Sequence, residues 1–344
     1  MKTIAAFNNK GGVGKTTLTC NIASYFARAM RQRVLVIDCD PQCNATQLIL
    51  GQDAASDLYW NSSSAQSNET TIRDILQPIE DGDSGISDSI QPFISSRNRF
   101  NVDVIAGHPG LSIIEDRLGG AWHDLLGGDL GGIRKTNWNL ALCEKLSPHY
   151  DYCFIDLGPS LGSINRSVLV GCDSFFTPMG SDIFSILGVR NISAWLQQWT
   201  AKYENGLKLA ESNQPGRLDN FSISRKLSIK NGYVGYTMQQ YITKAISGER
   251  RPTKAYDEII TCVPDEIKSS LQNYFPSGMT LSDANLGDVP HLFSLIPLAQ
   301  SAASPIIDLQ SSDGLVGAQY KQREQFGEII QAVAAKMMNN LSKV

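Results

Sequence analysis

The sequence predicts an α/β fold, a doubly wound and mainly parallel sheet, and three observations carry that prediction. Continuous apolar runs such as Val34-Leu35-Val36-Ile37 and Cys153-Phe154-Ile155 read as strands buried on both faces, as happens when helices cover a sheet on two sides. Between such runs apolar residues recur at helical spacing, so right-handed crossovers join the strands. Several strands also end on an acid or a glycine-rich turn, at the carboxyl edge where parallel sheets take their ligands.

The first strand, residues 1–7, breaks into Asn8-Asn9-Lys10-Gly11-Gly12-Val13-Gly14-Lys15-Thr16-Thr17, and a helical pattern follows. Three glycines permit a tight turn whose N–H groups point inward, and the next helix adds the positive end of its dipole. Strand, loop and helix in that order read as a phosphate loop, with Gly11, Gly12, Val13, Gly14 and Thr17 around a nucleotide. Lys15 is placed to reach the β- and γ-phosphates and the Thr16 hydroxyl to sit on Mg²⁺. Asn9 stands where the ordinary motif has glycine, so a left-handed backbone is expected there. Lys10 brings a second lysine to the phosphates.

Residues 10–17 resemble the deviant phosphate loop of the ParA/MinD family of ATPases. The resemblance implies a P-loop nucleotide hydrolase fold, ATP and Mg²⁺ as cofactors, and a homodimer formed on ATP binding. In that dimer the lysine equivalent to Lys10 reaches the partner's nucleotide.

A helix with Leu18, Ile22, Tyr25, Phe26 and Ala29 on one side leads to the strand 34–38 and then to Asp38-Cys39-Asp40-Pro41-Gln42. This segment resembles the family's first switch, which implies that Asp40 orients the attacking water and that Asp38 lies near the Mg²⁺ shell. On residue type alone Asp40 is equally able to cap the following turn. Residues 52–70 and 80–98 read as polar loop insertions around a short helix at 71–76. A strand is expected at 101–106 and a helix at 111–118, followed by a glycine-rich loop over 119–137. The strand 152–156 ends on Asp156, which fits the carboxylate that holds Mg²⁺, and residues 157–162 resemble the family's second switch. For Arg166 two readings stand, an arginine finger and a surface residue at a helix start.

Beyond a strand at 174–178 and a helix from 182 carrying Trp195 and Trp199, residues 202–232 turn polar and basic and read as a further insertion. A strand at 233–238 leads to Gln239, placed to hydrogen-bond an adenine edge. Lys244, Arg250, Arg251 and Lys254, with Tyr241 and Tyr256 nearby, form the basic cluster that suits contact with a phosphate backbone; a solvated charged loop is the competing reading. Residues 291–297 are expected as the last strand and 298–304 as a loop over the base. The helix 319–341 carries Phe326, Ile329, Ile330, Val333 and Met337 on one stripe, expected to pack on the core and not to anchor in a membrane.

A chain of 344 residues with 42% hydrophobic content has ample core for one domain over 1–344. A net charge of -4 argues against a generally basic nucleic-acid binder and leaves room for a local patch. The seven cysteines include no Cys-x-x-Cys pair and are expected to be reduced and structural. Without a signal peptide or a membrane-length apolar run, a cytoplasmic protein is expected, nucleoid-associated if it binds DNA. The resemblance implies non-specific DNA binding in the ATP state, slow hydrolysis stimulated by a protein partner, and positioning of a plasmid, chromosome or protein assembly. Two other classes remain open: an orphan regulatory ATPase that grips a protein without DNA, and a metabolic ligase of the same fold.

Overall fold

The computed structural model describes residues 1–60, 69–239, 244–246, 249–251 and 254–344, with the side chains of 240–259 outside that description. The first half alternates as the apolar runs require: β1 (Lys2–Ala6), α1 (Lys15–Arg28), β2 (Val34–Asp38), α2 (Asn44–Leu50), α3 (Gln52–Trp60), α4 (Ile72–Glu80) and β3 (Asp103–Ile105). Three helices, α5 (Leu111–Leu126), α6 (Leu130–Thr136) and α7 (Trp138–Leu146), precede β4 (Tyr152–Asp156), α8 (Ser163–Gly171) and β5 (Ser174–Gly180). A long helix α9 (Ile183–Asn213) leads to β6 (Tyr233–Gln239), a small ribbon β7 (Lys244–Ile246) and β8 (Glu249–Arg251), and α10 (Lys254–Leu271). The chain closes with α11 (Leu281–Ala284), β9 (Asn285–Val289), α12 (Leu295–Ser301) and α13 (Gln319–Leu341).

Seven strands form one sheet in the order β3-β2-β4-β1-β5-β6-β9, and every pairing in it is parallel. The register matters for function. Asp156 lies opposite both Ala6 of β1 and Asp38 of β2, so three strands finish level at one edge. Alternation along each strand feeds two cores. Ala5, Leu35, Ile37, Cys153 and Ile155 face the layer of α4, α5, α8 and α9, whereas Ile4, Ala6, Val34, Val36 and Phe154 face that of α1, α2, α12 and α13. The stripe on α13 is core packing: Phe326, Ile330, Val333 and Met337 are buried and Ile329 packs partly buried beside them. Lys2 Nζ donates to the Leu341 carbonyl, which fastens the end of α13 to the start of β1. No helix among the described residues is long and apolar enough to cross a membrane.

Several expected loops are helical. Residues 52–60 form α3, and the segment expected as a loop over 119–137 continues α5 to Leu126 and then forms α6. Leu118, Trp122 and Leu125 keep the helical stripe of α5 on the core, which outweighs the roughly 1 kcal/mol that each of Gly119 and Gly120 costs a helix. Likewise α9 extends to Asn213 because Tyr203, Leu207 and Ala210 are buried. The last strand is β9 and not 291–297; Asn285, Gly287 and Asp288 hide its apolar pattern, while Leu295 of the expected strand is buried from a helix. Residues 298–301, expected as loop, complete that helix.

Candidate nucleotide-binding site

Residues 8–14 leave β1 and turn straight into α1. Gly12 and Gly14 take φ of 74° and 73°, left-handed values that strain any other side chain. Asn9 does not share that conformation: it is absent from the left-handed region, and its side chain turns toward α9, where Oδ1 is buried beside Gly188. Asn8 braces the loop instead, accepting from Lys10 N at 3.0 Å and donating to the Pro178 carbonyl at 2.7 Å. No side chain caps α1 and no acid occupies its first turn, so its leading N–H groups are available to an anion.

Lys15, buried at the head of α1, donates to the Lys10 carbonyl at 2.9 Å. Burial pulls its ammonium below the ordinary lysine range against the attraction of Asp156 and Asp40. Thr16 Oγ1 donates to Asp156 Oδ2 at 2.7 Å, and Asp156 Oδ1 is buried with no hydrogen-bond partner. Burial first, and then the neighbouring Asp38 charge, push the Asp156 carboxyl well above the carboxylate range. A hydroxyl and a carboxylate with one unmet oxygen beside a phosphate loop are hard donors that fit Mg²⁺, which would compensate the acids there.

Asp38 ends β2 level with Asp156, and both of its carboxylate oxygens are engaged. Its Oδ1 accepts from Asp40 N at 3.1 Å, and its Oδ2 accepts from Thr46 N and Oγ1 at 2.8 and 2.7 Å. It braces the first switch and α2 with both oxygens engaged. Asp40 accepts from Gln42 N at 3.0 Å and shares a cleft of about 870 Å³ with Gly12, Lys15, Thr16, Pro159 and Gln300. On the other side of the loop, Gln239 Nε2 lies against Gly14, in a smaller cavity of about 370 Å³ that Thr17, Thr237 and Val289 also line. Gln239 thus stands on the loop's far flank from Asp40.

Lys10 faces neither cavity alone: its Nζ pairs with Asp182, and both side chains are about a third exposed. Asp182 also caps α9 by accepting from Phe184 N and Ser185 N at 3.0 and 3.2 Å. Burial raises its carboxyl, but the hydrogen bond and charge of Lys10 outweigh that and hold it below the carboxylate range. Sequence reasoning missed Asp182, whose one local signal is a capping residue ahead of Ile183-Phe184. Arg166 is half-buried: it lies 3.6 Å over the Trp199 ring and donates to the Leu161 carbonyl at 3.2 Å. The side chains of Lys244, Arg250, Arg251 and Lys254 lie outside the described residues; their backbone places Lys244 opposite Arg251 in the β7–β8 ribbon.

Residues 1–209 match a family model described as an AAA domain. Over 192 residues the chain is 32% identical to the virulence plasmid ParA family protein pGP5-D of Chlamydia psittaci, covering 56% of this chain and 62% of that protein. The chain therefore spans about six-tenths of that relative's length. The crystal structure of protein DIP2308 from Corynebacterium diphtheriae superposes with a TM-score of 0.74 at 32% identity and covers 99% of both chains. Cyanothece McdA, solved with ATP, shares the fold at a TM-score of 0.56 and 15% identity, over 98% of this chain and 96% of that one. With the AAA-domain match over its first 209 residues and ParA-family relatives on the same stretch, the chain belongs to the ParA/MinD family of deviant phosphate-loop ATPases.

Proposed function

We propose that this protein is an Mg-ATP-dependent switch that dimerises on ATP, hydrolyses it slowly, and binds DNA non-specifically in the ATP state to position a plasmid, chromosome or other cargo. One observation supports the reading above the rest: Asp40 stands in the same cleft as Lys15 and Thr16, and Thr16 is bonded to Asp156. In this reading Lys15 and the loop N–H groups balance phosphate charge, Thr16 and Asp156 hold the magnesium that screens it, and Asp40 orients water. The exposed Ile183, Phe184 and Leu187 stand next to Lys10 in α9 and supply apolar area for the second subunit. The name of the chlamydial relative supports a plasmid-type cargo. A protein partner stimulates hydrolysis and so resets the switch, which acts in the cytoplasm on the nucleoid.

The test combines three measurements. Lys15→Ala abolishes ATP binding in calorimetry, and Asp40→Ala binds ATP yet nearly stops releasing phosphate. The parent shifts DNA in a gel only with ATP, more weakly as salt rises, and replacing Arg250, Arg251 and Lys254 together by Ala removes the shift and spares turnover. A parent that turns over ATP but never shifts DNA rejects DNA positioning in favour of a protein-gripping switch.

A further inference from the structure

Asp156 and α8 are separated by residues 157–162, and the backbone of this loop forms one wall of the nucleotide cleft at Pro159. The loop is tied down at both ends. At its far end Gly162 begins α8 and has no side chain with which to cap it. Glu115 of α5 takes over that role: its carboxylate accepts from Ser163 N and from Ile164 N, the latter at 3.1 Å. A carboxylate on two leading N–H groups is favoured by both hydrogen bonding and the helix dipole. Asn165, buried in the first turn of α8, then reaches back along the loop. Its amide donates to the carbonyls of Gly158 and Ser160 at 2.9 and 2.7 Å and lies 3.3 Å from Ser160 Oγ.

The loop in turn touches the first switch. A Cβ added at Gly158 would lie 3.0 Å from Asp40 Oδ1, so backbone and carboxylate are packed with no room between them. A shift of Gly158 toward the first switch would press on the Asp40 carboxylate. We propose that Glu115 and Asn165 are positioning residues for hydrolysis, fixing residues 157–162 so that Gly158 holds Asp40 in its water-orienting place. The proposal rests on the hydrolytic reading of Asp40. It gives α5, which begins beyond the sheet edge and supplies nothing to the phosphate cleft, a part in the chemical step. Neither residue lines the cleft, to which their loop contributes only Pro159, so ground-state nucleotide binding is expected to change less than turnover.

The experiment compares the parent with Glu115→Ala, Glu115→Gln and Asn165→Ala. With the loop loosened, kcat falls on the order of tenfold to a hundredfold, the scale of small misplacements at a reacting centre. KM and ADP affinity change less than kcat. Glu115→Gln, which keeps one acceptor oxygen, recovers part of the loss. Parent-like kcat in both alanine variants overturns the proposal, as does a parallel fall of melting temperature, ADP affinity and kcat in all three. A parent without turnover rejects the hydrolytic reading itself. The fixing of the loop, the structural half of the proposal, is then still read by tryptophan emission, because Trp195 Nε1 donates to the Leu161 carbonyl of this loop at 3.1 Å. A response to Mg-ATP that is lost in Trp195→Phe must also be lost in Glu115→Ala; an undiminished response overturns the proposal.

Discussion

Asp182 pairs with Lys10 within the chain, so in the proposed dimer the lysine must leave that carboxylate before it can serve a second copy. Replacing Asp182 by Asn removes the charge and keeps the oxygen that caps α9, which separates the two roles of the side chain. In the variant, ATP-dependent self-association shifts to lower protein concentration by about two- to fivefold, the scale of a partly exposed ion pair. Sedimentation at two salt concentrations checks it, since salt weakens the pair in the parent and has nothing to weaken in Asp182→Asn. Unchanged association sinks the idea that Lys10 is held back. At this scale the sequence is legible where chemistry is local. Lys15, Thr16 and Asp156 stand out because each sits in a motif that leaves a strand. Asp182 and Glu115 do not stand out, because their partners lie 172 and 48 positions away and only the fold brings them together. Asp38 stands in a motif as well, but that its oxygens are engaged by Asp40 N and Thr46 is seen only in the tertiary structure.

Among elements, α13 is fastened in a way that carries a pH signature. Asn340 donates to the carbonyls of Val234 and Asp283 at 2.9 and 2.8 Å, and Lys343 pairs with Asp283 at 2.9 Å. The backbone N–H of Thr280 first, and Lys343 next, hold the Asp283 carboxyl at about 2 against an ordinary 3.8. A depressed value means the unfolded chain takes up the proton first on acidification. The stabilisation is therefore present in full above 3.8 and lost as pH falls toward 2. Thermal melts of Asp283→Asn and the parent should differ at neutral pH and converge through that window; a constant gap refutes the linkage. Element boundaries were legible where periodicity was clean, as in α13 itself, which spans the expected 319–341. They were not legible where glycines sit inside packed helices. Gly132 is such a case: a Cβ there would lie 2.7 Å from the Ala121 carbonyl, so the glycine marks close approach of α6 to α5 and not a loop.

For the whole molecule, the parallel sheet gathers its chemistry at one edge. Ala6, Asp38 and Asp156 end level there, and the doubly wound order was readable from apolar runs because burial on both faces leaves so plain a pattern. Lys2 stands at the other end of β1, four residues and about 13 Å from that edge, and it holds the carbonyl of Leu341. Residues 2 and 341 thus meet on the pole opposite the nucleotide. A short Gly-Ser bridge across this junction, with new ends opened between residues 81 and 89, makes a circular permutant that keeps both cores and the cleft uncut. Permutants opened at exposed loops are generally tolerated. Mant-ATP titration should give the permutant the parent's affinity, and failure to bind would mean that the order in which the strands are laid down matters to the site. Dyes placed beside residues 2 and 341 share one neighbourhood far from the cleft, so they are poorly placed to sense its closure or its occupant. A reporter of the switch belongs on the loops of the opposite pole.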